Sequence, residues 1–115
     1  MNKDNPIGIF DSGIGGLTVA KAIRSLLPYE SLLYFGDTKH LPYGEKSAYV
    51  VQEFSKNIAL FLKQKNCKMI VIACNTASSL AFEAVKKECP NIEVVNVIDP
   101  VARKSFKANS FVLLI

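Results

Sequence analysis

Four short apolar runs, IGIF (7–10), LLYF (32–35), MIVIA (69–73) and EVVNVI (93–98), constrain the fold more than any other feature. Each is of strand length and rich in Ile, Val, Phe or Tyr, the residues that fit a pleated surface. The runs are continuous rather than alternating, as strands covered on both faces should be. Helix-period segments separate them. Over 16–27, Val19, Ala20, Ile23, Leu26 and Leu27 share a face, and Pro28 stops the helix. Over 46–65 the shared face is Val50, Val51, Phe54, Ile58, Phe61 and Leu62. Over 76–88 the stripe is Leu80, Ala81, Ala84 and Val85, and Pro90 closes the helix. Strands alternating with helices predict an α/β fold of three layers: a parallel sheet with helices on both faces. The 115 residues allow one domain, 1–115, with no repeat or linker. The tail ends in SFVLLI (110–115), which reads as a fifth strand with nothing to cover it. Such an edge is a liability, so the chain is expected to be cut short of a longer protein.

Half the residues are hydrophobic and 21% are charged, which suits a globular protein. The net charge of +4 comes from scattered lysines with no basic run or stripe, so solvated helix faces explain it and no nucleic-acid partner is expected. The three cysteines form no C-x-x-C pair. That argues for reduced thiols in a cytoplasmic protein, against a disulfide framework and against a bound metal. The N-terminus lacks an apolar signal core, and no run approaches the roughly 20 apolar residues of a membrane span.

In a sheet of this kind ligands bind beyond the carboxyl ends of the strands. Three polar clusters fall there: DSGIGG (11–16), GDTKHLPYG (36–44) and CNT (74–76). The glycines of 13–16 suit a phosphate cradle, and Asp37 stands where a dinucleotide fold wants its ribose-binding acid. Against this, the pattern is G-x-G-G, Asp11 directly precedes it and would repel a pyrophosphate, and no Walker lysine follows. A bare turn is a second reading. A third is a small-ligand site, in which Asp11 serves a positive group and the helix start a negative one, as an amino acid would require. In the second cluster, Pro42 and Gly44 bracket Tyr43 in a loop that passes close over a ligand. His40, the only histidine, has no evident partner and reads as a loop residue. Asp37 either caps the loop or positions a substrate.

Cys67 and Cys89 have no polar company and read as packing residues. Cys74 ends a strand at a helix start, where free N–H groups favour a thiolate suited to proton transfer. Thr76 is the expected helix cap, with Asn75 beside it. The alternative for Cys74 is a small buried residue before that cap.

Together, IGIFDSGIGGLTV (7–19), YFGDTKHLPYGEKS (34–47), IVIACNTAS (70–78) and VNVIDP (95–100) resemble the amino-terminal half of the glutamate racemases, in the aspartate/glutamate racemase superfamily. The resemblance implies interconversion of L- and D-glutamate without a cofactor or metal, supplying D-glutamate for peptidoglycan and hence for the cell wall and cell shape. It implies one lobe of a two-lobed fold whose lobes each supply a cysteine to opposite faces of the substrate's α-carbon. By position, Cys74 resembles the first base, and Asp11 the carboxylate near the substrate ammonium that assists the proton transfer. Ser12, Tyr43, Gly44, Asn75 and Thr76 match substrate-binding positions, and Asp37 an accessory one. The second lobe, with its Cys-Thr-His motif, is missing, and residues 107–115 depart from the family pattern. The isolated chain is therefore expected to be inactive and prone to self-association. A nucleotide-binding module using 13–16 and Asp37, or a non-catalytic remnant, is the alternative.

Overall fold

The computed structural model describes residues 4–12, 16–40 and 42–96. Strands β1 (Ile7–Asp11), β2 (Leu32–Gly36), β3 (Met69–Ile72) and β4 (Glu93–Asn96) form one parallel sheet in the order β2-β1-β3-β4. Ile9 lies opposite both Tyr34 and Val71, and Val71 opposite Val95. Helices α1 (Gly16–Leu26), α2 (Ala48–Gln64), α3 (Asn75–Leu80) and α4 (Phe82–Glu88) join the strands, with short 3-10 turns at Thr38–His40 and Tyr43–Glu45. Among the described residues no helix is long and apolar enough to cross a membrane.

Side-chain alternation sorts the strands into two faces. Ile7, Ile9, Val71 and Val95 pack with Val19, Ala20 and Ile23 of α1. Phe10, Ile70, Ile72 and Val94 pack with Val51, Ile58, Ala59 and Leu62 of α2 and with Ala77, Ala81 and Val85 of α3, α4 and their junction. Both faces are covered, which is why the strand sequences show no polar alternation. Gly8 sits against Leu62 of α2 and Cys67 just beyond it: a Cβ there would lie 2.9 Å from Cys67 Sγ and 3.1 Å from Leu62.

The sequence-derived helix over 76–88 is two helices. It breaks at Ala81 (φ −121°, ψ 0°), which ends α3 and begins α4. The buried stripe is Ala77, Ala81 and Val85, four residues apart, while Leu80 is 38% exposed and Ala84 half-buried. Along α2 the most buried line includes Ser55 and Ala59, small residues that the apolar pattern passes over. Phe61 is exposed enough to lie beneath the Lys65 ammonium. Leu26 of α1 is also exposed. The glycines at 13–15, residues 97 and 98 of the fourth apolar run, and SFVLLI lie outside the described residues.

The strand order places the ligand crevice. Strands β1 and β3 are neighbours, yet α1 leaves β1 towards one face and α3 leaves β3 towards the other. Connections that diverge in this way open a crevice at the carboxyl ends of the two strands.

Candidate active site

The three strand ends stand side by side. Ala73 N–H donates to Phe10 O (2.8 Å), and Asp37 N–H donates to Asp11 O (2.9 Å). These bonds extend the sheet by a residue on either side of β1 and bring Asp11, Ser12, Asp37 and Cys74 to one rim. Asp11 is fully buried, and Ser12, Asp37 and Cys74 are each only 7% exposed.

Cys74 adopts extended geometry (φ −97°, ψ 128°) and caps α3 itself: its Sγ accepts from Ala77 N–H at 3.5 Å. This corrects the expected cap at Thr76. The helix begins directly after the strand, at Asn75, so the cap position falls on the cysteine. Ser78 fixes the turn, its N–H donating to Cys74 O (2.8 Å) and its hydroxyl to Ile72 O (3.0 Å). A sulfur that accepts a backbone N–H is held in the orientation that stabilises negative charge on it. Asn75 is exposed and Thr76 half-buried at the mouth of the same turn.

Asp11 continues the parity of Ile7 and Ile9, on the α1 side, whereas Cys74 continues that of Ile70 and Ile72, on the α2 side. The carboxylate and the thiol therefore come from adjacent strands but leave the sheet on opposite faces. On the α1 side the Tyr34 hydroxyl donates to Asp11 Oδ2 at 3.4 Å. Burial first, and then the Asp11 charge, raise the Tyr34 phenol above its ordinary range. Sequence reasoning did not single out Tyr34, because only the pairing of β2 with β1 sets it beside the acid.

After β2, the side chains of Asp37, His40 and Tyr43 are tied to one another. The Tyr43 hydroxyl donates to Asp37 Oδ2 at 2.6 Å. His40 Nδ1 stands 2.9 Å from Asp37 Oδ1 and 2.8 Å from Oδ2. The His40 ring stacks on Phe54 of α2 with centroids 3.8 Å apart. Tyr43 is 2% exposed and belongs to the same buried cluster as Cys74. Burial, then the hydrogen bond to Asp37, then the charges of Asp37, Cys74 and Asp11 push its phenol far above its ordinary range. Tyr43 therefore keeps its proton, as a donor to Asp37, at neutral pH. Gly44 is exposed, and a Cβ there would meet no atom within 4 Å. The expectation that His40 lacks a partner is overturned. Its partners are Asp37, three residues back, and a ring on α2 that only the packing of that helix brings near. Both Asp37 oxygens are engaged within the protein, which weighs against Asp37 as the ribose-binding acid of a dinucleotide site. Among the described residues no three His, Cys, Asp or Glu side chains are grouped to hold a metal ion.

No family model matches the chain. Individual proteins do. A glutamate racemase from Thermus thermophilus is 52% identical over 98 residues, 85% of this chain and 38% of that protein. The solved glutamate racemase of Francisella tularensis in complex with D-glutamate superposes with a TM-score of 0.80 at 45% identity, covering 83% of this chain and 36% of that one. The Thermus thermophilus enzyme in complex with beta-chloro-D-alanine gives a TM-score of 0.83 at 48% identity, covering 92% and 41%. The chain spans about two fifths of the length of the curated relatives it matches. In sequence and in fold the chain is similar to glutamate racemases, and it matches the part of the Thermus thermophilus structure that makes up one lobe.

Proposed function

We propose that this chain is the Cys74-bearing lobe of a cytoplasmic, cofactor-independent racemase that interconverts L- and D-glutamate, the D-isomer feeding peptidoglycan. The observation that carries the reading is the thiol at the end of β3, its sulfur held by Ala77 N–H at the crevice beside the strand that bears buried Asp11. As the thiolate, Cys74 removes the α-proton of glutamate, and the electron pair passes to the substrate α-carbon. Asp11 pairs with the ammonium, which stabilises the carbanion character that develops. Ser12, Tyr43, Gly44, Asn75 and Thr76 line the rim where the substrate carboxylates bind, and Asp37 sets Tyr43 from behind. A single base returns the proton to the face it left. Inversion therefore requires a second thiol on the far side, from the second lobe of the complete protein.

A chimera tests this. Residues 1–96 replace the matching segment of the Thermus thermophilus relative, and D-glutamate formed from L-glutamate is measured by chiral chromatography. Racemisation by the chimera, and its loss with Cys74→Ala, are expected. An active chimera that keeps its rate with Cys74→Ala would exclude the thiol. The 115-residue chain alone is expected to give no D-glutamate, and would pair with itself through the open cleft rather than turn over substrate. The nucleotide reading has less support, since Asp37 is committed to Tyr43 and His40.

A further inference from the structure

We propose that His40 is a positioning residue for the Cys74 site, acting through Asp37 and Tyr43 by the hydrogen bond that its Nδ1 makes and not by its bulk. The inference rests on the reading of Cys74 as a thiolate base. Three observations carry it. First, the Asp37 carboxylate is 7% exposed, and a buried carboxylate needs donors on both oxygens to hold its charge. Tyr43 OH supplies one, 2.6 Å from Oδ2, and His40 Nδ1 stands within 3 Å of both oxygens, at 2.9 and 2.8 Å. Second, the receiving end of this chain of contacts is Tyr43, whose ring is buried in the cluster that contains Cys74. Third, His40 is fixed on the outside by a stack on Phe54 of α2 (3.8 Å, 24° between planes), which anchors the histidine, and through it Asp37, to that helix.

The physical consequence is electrostatic as well as steric. A carboxylate stripped of one donor keeps its charge but loses the dipole that offsets it, and an uncompensated like charge disfavours a thiolate in the same buried cluster. Tyr43 cannot relieve it, because its one proton is already given to Asp37. The Nδ1 donor of His40 thus keeps Asp37 quiet and Tyr43 in place.

Two substitutions separate the hydrogen bond from the stack. His40→Asn sets an amide N–H near the position of Nδ1 and loses the ring. His40→Phe keeps a ring for Phe54 and loses the donor. The readout is the rate of Cys74 alkylation by iodoacetamide on the folded 115-residue chain at about pH 7.5, resolved by peptide mapping, with buried Cys67 and Cys89 as internal references. His40→Phe should slow Cys74 by about threefold or more, and His40→Asn should stay within about twofold of the unsubstituted chain. Thermal melts confirm that both variants remain folded, and if one has unfolded the other still decides. A His40→Phe chain that alkylates at the original rate, or a folded His40→Asn chain as slow as the Phe variant is expected to be, overturns the proposal. A different result sinks the parent reading: Cys74 of the unsubstituted chain reacting no faster than Cys67 and Cys89.

Discussion

At the scale of single residues, contacts that no local pattern announces decide what can be changed. Gly8 is small because Leu62 of α2 and Cys67 leave no room beside β1. Gly8→Ala should cost about 1–3 kcal/mol, as overpacking does, read as a lower urea midpoint. Cys67→Ala in the same chain should return part of that loss, because the nearest clash is with its sulfur, at 2.9 Å. An unchanged midpoint for Gly8→Ala would mean that the helix shifts freely. Tyr43→Phe removes a donor from a buried carboxylate and should destabilise by roughly 1–3 kcal/mol, whatever it does to chemistry. Ser55 points the other way. Its hydroxyl is buried in α2 with no hydrogen-bond partner among the described residues, so Ser55→Ala should be neutral or stabilise by about 1 kcal/mol. A large loss there would reveal a partner for the hydroxyl.

At the scale of elements, the caps divide the labour between stability and chemistry. Helix α2 starts on Ser47, whose hydroxyl accepts from Val50 N–H at 3.2 Å. This cap is exposed and has no other duty, so Ser47→Ala should cost about 1 kcal/mol in chemical denaturation and leave Cys74 reactivity unchanged. Helix α3 starts on Cys74, and there the cap is the reactive group. A helix start capped by serine or threonine would satisfy the same N–H and supply no thiolate. The amino end of the sheet is tied separately. Lys68 Nζ lies 2.6 Å from Glu30 Oε2, and Arg24 donates to Glu30 O at 2.7 Å, closing the loop before β2 against the loop before β3. The rigid end and the ligand end of the domain are therefore built from different interactions.

At the scale of the whole molecule, the ionisable groups set an alkaline limit. Burial is the first cause that raises Cys67, Cys89, Tyr34 and Tyr43 above their ordinary values, 9.0 for the thiols and 10.0 for the phenols. Each binds its proton more tightly in the folded than in the unfolded chain. Their contribution to stability is full below the ordinary values and is lost as pH rises past them. The urea midpoint should be level through neutrality and fall above about pH 9, less steeply in Cys67→Ala. A midpoint that rises between about pH 9 and pH 10.5 would contradict the burial of these groups.

The sequence by itself determined the order of strands and helices, the parallel sheet and the three strand-end clusters. Those features follow from local hydrophobic period and turn chemistry, which need no partner to be read. It also singled out Cys74 over Cys67 and Cys89, since only Cys74 sits between an apolar run and a helix start. What it could not supply was anything fixed by register or by packing between elements. The pairing of β1 with β2 sets Tyr34 on Asp11, the seating of α2 gives His40 its ring, and the break at Ala81 turns one expected helix into two. The register of β1 with β3 sends Asp11 and Cys74 to opposite faces of the sheet, and the pairing of the two strands keeps them on one rim. Such contacts join residues far apart in the chain, and their geometry exists only once the layers have closed on one another.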